Sequence, residues 1–465
     1  MSFISIEFVI LFIAVLALLT LIRVPQWRKW ILLLASCVFY AYWDWRFLGL
    51  LGFVTVLDYS ISRLLVSTQN VSKRKIILIV SIVVNLGLLA SFKYLNFFIN
   101  SVSAFLTPLG WNLASLNIIL PIGISFYTFE TLSYVIDVYR GVVKPARSLL
   151  DYAIFITFFP RLVAGPIMRA KQFLPQLERG IEFSTDNLTA GAQFILRGLL
   201  KKLVLADNAA IMVDQIYNSP SMFSPGTVWI AIFAYSVQIF CDFSGYTDMA
   251  IGIARVFGFV LPDNFNLPYS AQSFTEFWRR WHISLSAWLR DYLYIPLGGN
   301  RKGKFRAYFN LLLTMLLGGL WHGANWNFVF WGGLHGIYLA FERVTGLNQI
   351  TGSWKNAMTW FKAAFILLIV SVTWVFFRSP SLSFTILIFR KLLFLDQAGI
   401  VWPFVPACAG IAIILGGGFV SRSLGFSYPQ FSIRKSYTLA FMLFEFLIVY
   451  FFSPVNVSPF IYFQF

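Results

Sequence analysis

The sequence predicts an all-α protein that crosses a membrane many times, a polytopic helical bundle with about 10–12 spans plus re-entrant or interfacial helices. Three observations predict it. Hydrophobic residues make up 58% of the chain and charged residues only 12%, about half the ~25% charged share of ordinary soluble domains. Apolar runs of helical length recur, beginning near Ile6, Trp30, Phe47, Ile76, Ile118, Val228, Phe309, Ala363, Val405 and Tyr437; they are continuous rather than alternating, which excludes barrel strands. The excess of Lys and Arg, which gives a net charge of +17, gathers in the loops between those runs. A soluble globular enzyme and a disordered chain are both excluded, the first by the lack of polar cover and the second by the hydropathy.

The positions of the cations predict topology, because cytoplasmic loops retain Lys and Arg. Arg23, Arg28 and Lys29 follow the first run, Lys73 to Lys75 the third, and Arg140, Lys144 and Arg147 the run from Ile118. Placing these loops inside puts the N-terminus outside. That terminus carries Glu7, no basic leader and no small-residue cleavage site, so it reads as a span and not as a signal peptide. The basic balance is expected to serve topology and anionic lipid contact rather than nucleic acid. No internal repeat is visible. One membrane domain over residues 1–465 is the expectation, with Gly346 to Lys355 a polar loop. Cys37, Cys241 and Cys408 are too far apart in sequence for a disulfide framework or a zinc cluster.

Ionisable residues inside a bilayer are costly and mark function or pairing. They concentrate between Cys241 and His335. Asp242 and Asp248, with Gly245 and three hydroxyls, interrupt an apolar run and predict a broken or re-entrant helix, the carboxylates pairing with basic residues to hold helices together. Ser273 and Glu276 have capping-box spacing. From there Phe274, Phe277, Trp278, Trp281, Leu285, Trp288, Leu289 and Tyr292 form one aromatic face, with Arg279, Arg280 and Arg290 on others, which predicts a helix lying in the headgroup layer with His282 upon it. A basic loop, Arg301 to Arg306, completes seven cations against one acid, Asp291, from Arg279 onward. It is expected to anchor the membrane face and to receive a phosphate-bearing ligand or an acidic carrier protein.

His322 is the sharpest candidate. A straight helix from Arg306 carries it ~24 Å into the apolar slab. Gly318, Gly319 and Gly323 permit close approach or a local kink, while Trp321, Asn325, Trp326 and Asn327 surround an imidazole able to take up and release a proton near neutral pH. His335, ~220° further round a continuous helix, is expected to serve packing. No hydrolase elbow, phosphate loop, zinc-protease motif or metal-ligand spacing is present, so no bound cofactor or metal is expected.

The stretches Pro121-Ile-Gly-Ile-Ser-Phe-Tyr-Thr-Phe129, Phe159-Pro-Arg-Leu-Val-Ala-Gly-Pro166, Asp242-Phe-Ser-Gly-Tyr-Thr-Asp248-Met-Ala-Ile-Gly252, Phe277-Trp-Arg-Arg-Trp-His282-Ile-Ser-Leu285, Asp291-Tyr-Leu-Tyr-Ile-Pro-Leu-Gly-Gly-Asn-Arg301 and Gly319-Leu-Trp-His322-Gly323 resemble the membrane-bound O-acyltransferase family, and within it the bacterial alginate O-acetyltransferase branch. The likeness covers about residues 30–380 and does not extend to the last 80 or so. It implies a bundle around a central tunnel, with His322 as the essential histidine and His282 as the second, nearer the cytoplasmic mouth. It further implies a cytosolic thioester donor, acetyl-CoA before an acyl carrier protein, and export of the acetyl group through a bacterial inner membrane. Outside, an SGNH-type (esterase-like) acetyltransferase partner would place it on a polysaccharide such as alginate. Trp278, Arg279, Arg280, Trp281, Trp321, Asn325 and Asp242 are the expected donor- and substrate-binding residues. The alternatives are acyl transfer of the D-alanyl kind from a carrier protein, and a glycan or lipid transporter. The second predicts paired halves, which the sequence lacks.

Overall fold

The computed structural model describes residues 1–111, 113–347, 352–402, 405–425 and 436–463; positions 348–351 of the expected polar loop lie outside them. The described chain is helical, and its one β feature is an isolated bridge between Phe223 and Ile400. A helix stands at each of the ten apolar runs. Four of them, Phe47–Ser67, Val71–Leu109, Pro225–Val256 and Ala357–Arg378, are long and apolar enough to cross a membrane by length and composition alone. Their surroundings differ. Only 17% of the apolar window in Val71–Leu109 is buried inside the protein, against 72% in Pro225–Val256, so the first presents its side chains to lipid and the second is a core helix. Such exposure of Ile, Leu and Phe is tolerable only in hydrocarbon.

The chain forms two compact units. The first comprises Met1–Ile195 and Met249–Pro262. Its polar groups are partnered internally, because lipid offers no hydrogen bonds. Asp58 accepts from Ser81 Oγ at 2.6 Å and Asn85 Nδ2 at 2.9 Å, and Thr131 donates to Asn85 Oδ1 at 3.2 Å. Arg161 pairs with Glu130 and lies over the Phe155 and Phe173 rings at 4.9 and 5.1 Å. A Phe cluster, including Phe158, Phe159, Phe257 and Phe259, fills the rest. Gly123 sits at φ 77°, and a Cβ there would meet Leu162 O at 2.8 Å. Glycine is the residue that suits both demands.

The second unit comprises Leu196–Asp248 and Asp263–Phe465. Its central feature is a hairpin of two 20-residue helices, Gly303–His322 and Trp326–Thr345, joined by the three residues 323–325. The apolar run read as one span from Phe309 is therefore two antiparallel helices. Glycine lets their backbones touch. A Cβ on Gly319 would lie 2.2 Å from Phe328 O, and one on Gly332 2.2 Å from Met315 O. Backbone oxygens cannot rotate aside, so Gly332→Ala is expected to lower stability by about 3 kcal/mol or more. The neighbouring Gly333 faces only the mobile end of Leu316 at 3.3 Å, and Gly333→Ala should cost well under ~1.5 kcal/mol. Thermal unfolding in detergent would compare the two, and equal losses would contradict this packing.

Two expectations are corrected here. The Cys241–Gly252 segment is not a broken helix, because Pro225–Val256 runs through it for 32 residues. The carboxylates are neutralised, which removes the need for a break: Asp248 binds Arg197 and Lys201 at 2.7 Å each, and Asp242 binds Lys202 at 2.7 Å. Nor is the aromatic segment one interfacial helix. It breaks between Phe274–Arg280 and Ile283–Leu289 at His282, which adopts φ 45°. Phe277, Trp281, His282 and Leu285 are buried in protein. Ser273 does cap the first piece, accepting from Glu276 N at 3.0 Å, while Glu342 accepts the Phe274 and Thr275 amides.

Candidate active site

His322 is the last residue of its helix and is 4% exposed. The chain turns at once into the extended Gly323, where a Cβ would fall 2.1 Å from the Phe328 ring. This tight turn holds the imidazole among aromatic rings. Trp321, Trp331 and Phe377 stand 5.1, 5.3 and 5.2 Å from it, centroid to centroid. His282 lies 6.3 Å away, its Nδ1 3.2 Å from Asn264 Oδ1. It is thus a buried neighbour of His322. The left-handed backbone at His282 is what turns its ring toward this cluster, and Asn264 fixes it by also accepting from Ser284.

The polar partner of His322 comes from the far end of the chain. Tyr462 Oη lies 3.3 Å from His322 Nδ1, across 140 residues of sequence. Its position is built by ionic contacts. Lys202, in the widened turn Leu200–Ala206, bonds Asp207 at 2.8 Å, Asp242 at 2.7 Å and the Ser458 carbonyl at 2.7 Å. Asp242 then accepts the Ile461 amide at 2.8 Å. Phe460 packs on Tyr246 at 4.4 Å and Tyr462 on Phe243 at 4.4 Å. Asp242 therefore ties the 458–462 segment to Lys202, and it is not among the residues that line the cavity. Tyr462 was missed by sequence reading, since a tyrosine in an apolar tail carries no local signal.

A cavity of about 360 Å³ opens from the His322 end outward, wholly within the second unit. His322, Trp331 and Gly318 line its closed end; Arg279, Arg290 and Arg343 line the rest together with Trp278, Leu289 and Tyr294. No carboxylate lines it. The nearby Asp291 bonds Arg290 at 2.7 Å, and that hydrogen bond holds the guanidinium above its ordinary pKa. Of the expected binding residues, Trp278 and Arg279 line this cavity. Trp321 touches both His322 and His282, at 5.1 and 6.0 Å.

Three others are elsewhere. Arg280 bonds Glu276 at 3.1 Å and the Asn266 carbonyl. Trp281 is a core ring between Phe277 and Trp374 at 5.7 and 4.9 Å. Asn325 caps its helix, accepting from Asn327 N and donating to Pro380 O, and it does not line the cavity. Arg290 belongs to the seven-cation patch from Arg279 to Arg306 that was expected to receive a phosphate-bearing ligand; Arg343, in the last turn of Trp326–Thr345, was not singled out. His335, on the second helix of the hairpin and not on the helix of His322, bonds Thr373 Oγ1 at 3.1 Å and packs on Trp331 at 4.8 Å.

A buried imidazole that lines an open cavity, with a tyrosine hydroxyl within hydrogen-bond distance of it, is an arrangement suited to group transfer. Comparison with known proteins agrees. The model of the membrane-bound O-acyltransferase family matches residues 9–379. The chain is 44% identical over 385 residues to a probable alginate O-acetylase of Pseudomonas putida, covering 82% of this chain and 78% of that one. It is 38% identical over 387 residues to a peptidoglycan O-acetyltransferase of Helicobacter pylori, covering 77% and 72%. It is 30% identical over 236 residues to a teichoic acid D-alanyltransferase of Bacillus subtilis, covering 48% and 59%. The chain belongs to the membrane-bound O-acyltransferase family and is a multi-pass membrane acyltransferase.

Proposed function

We propose that this enzyme takes an acetyl group from a cytosolic thioester, acetyl-CoA, and passes it through the inner membrane for O-acetylation of an extracytoplasmic polysaccharide of the alginate kind. The observation that carries the mechanism is the 3.3 Å contact between the Tyr462 hydroxyl and Nδ1 of His322, the imidazole that lines the cavity. The thioester reaches inward from the arginine-lined end. His322 accepts the phenol proton as Tyr462 oxygen attacks the acetyl carbonyl; the carbon–sulfur bond breaks, and the thiolate leaves with the proton from the imidazolium. The product is an aryl acetate on Tyr462. An aryl ester is more activated than the alkyl ester of a sugar, so onward transfer to an SGNH-type partner or to the glycan is downhill. The apolar rings around His322 limit water, which suppresses wasteful hydrolysis. The similarity to alginate and peptidoglycan O-acetyltransferases supports acetyl as the group and a cell-envelope polymer as the acceptor. The cation-bearing loops support an extracytoplasmic N-terminus.

The test is incubation of the purified protein in lipid with radiolabelled acetyl-CoA, followed by mass spectrometry of the chain. Label on Tyr462 that chases into an added acceptor is the expected result. Label that enters the chain only from an acetylated carrier protein would overturn the donor assignment. Label on His322 in place of Tyr462 would overturn the relay.

A further inference from the structure

The three arginines of the cavity are not equivalent. Arg290 is neutralised by Asp291. Arg279 is exposed and makes no ion pair among the described residues. Arg343 is held by neutral oxygens alone: its Nη1 donates to Tyr294 Oη at 2.8 Å and to Asn300 Oδ1 at 2.9 Å. Those two acceptors are themselves joined, Tyr294 Oη donating to Asn300 Oδ1 at 2.5 Å, across a turn that Gly298 and Gly299 make with φ of 114° and 52°. The guanidinium is thereby oriented, while its Nε and Nη2 edge has no protein partner among the described residues. That edge is the planar fork that grips a phosphate with two parallel hydrogen bonds. An oriented cation with an open fork, in a cavity lining without a carboxylate, is a site prepared for an anion.

We propose that Arg343, assisted by Arg279, binds the phosphate of a phosphopantetheine thioester whose arm extends along the cavity to His322; this rests on the acyl-transfer reading above. The lengths agree. Trp331 packs on His322, and Arg343 follows it by 12 residues on the same helix, or ~18 Å of rise. Side chains on a helix lean toward its N-terminus, so Arg343 leans back toward Trp331 and shortens that gap by a few ångström. The arm from phosphorus to sulfur has about 13 bonds; at ~3.5 Å per three bonds of extended chain it spans roughly 15 Å. Coenzyme A and a loaded carrier protein present the same phosphate and the same arm, and Arg343 reads what they share.

The experiment measures kcat/KM for acetyl-pantetheine, which lacks the phosphate, against acetyl-4′-phosphopantetheine, in wild type and in Arg343→Gln. The wild type should prefer the phosphorylated donor by at least ~10-fold, the scale of a charge-assisted hydrogen-bond pair. Arg343→Gln should bring that ratio close to one, Arg343→Lys should recover only part of it, and Arg279→Gln, at an exposed position, should lower it without touching the fold. A wild-type ratio near one, or a ratio unchanged in Arg343→Gln and Arg279→Gln, overturns the proposal. Acetyl-CoA and acetylated carrier protein, run as further arms, identify the source: a gain over acetyl-4′-phosphopantetheine with one of them names it. His322→Ala separates the two readings. If it still turns over either donor, the acyl-transfer reading fails; if it is dead while the phosphate ratio is near one, only the phosphate site fails.

Discussion

His322→Ala is expected to lower acetyl transfer by at least ~10³-fold, the scale of a lost general base in a closed site, with the fold retained. The imidazole is 4% exposed and packs against the Trp321, Trp331 and Phe377 rings, and truncation to alanine neither introduces a charge nor overpacks the site. Release of thiol from acetyl-CoA and appearance of acetylated acceptor should fall together, because both follow the same proton transfer. Thermal unfolding of the variant in detergent provides the control. Transfer in His322→Ala at the wild-type rate, with melting unchanged, would remove His322 from the mechanism.

Tyr462→Phe is the second large effect, and it separates two chemical routes. The substitution deletes one oxygen and keeps the ring that packs on Phe243 and Phe460. If the phenol is the first acceptor, both acetylation of the chain and onward transfer are lost, by at least ~10³-fold, as for other covalent nucleophiles. Slow thioester hydrolysis by His322 should persist. If His322 instead activates an outside hydroxyl directly, Tyr462→Phe would lose only a hydrogen bond and retain transfer within about tenfold. The measurement is the ratio of acceptor acetylation to thiol release, and survival of that ratio in Tyr462→Phe sinks the relay.

The membrane class, the ten apolar helices and the burial of the His322 imidazole were legible in the sequence because each is a property of composition or of a local pattern. The pairing of Asp242 and Asp248 with basic residues was legible too, since an unpaired carboxylate in hydrocarbon is too costly to persist. The rest depends on geometry that periodicity does not carry. The break at His282 arises from one residue at φ 45°, and an aromatic stripe looks the same with or without it. Gly323 left a local kink open after His322, but the full reversal of the chain over residues 323–325 was not specified by it. Tyr462 and Arg343 reach the site by long-range contacts, the first through Lys202, Asp242 and Ile461, the second through Tyr294 and Asn300. Neither has a neighbour in sequence that announces it.

On the acyl-transfer reading proposed above, the glycine contacts of the hairpin would also limit which acyl groups reach His322. With backbone against backbone at Gly319 and Gly332, the two helices that bear His322 and Trp331 cannot separate to make room. Trp331 is further braced by Trp374 at 5.7 Å and Phe377 at 4.7 Å, so it cannot swing away. A two-carbon group has no tail to place beyond the carbonyl, whereas a fatty chain would need depth that these rings already occupy. On that reading, the same rigidity that fixes the base would make the site a ruler, measuring out short acyl groups by the incompressibility of its walls.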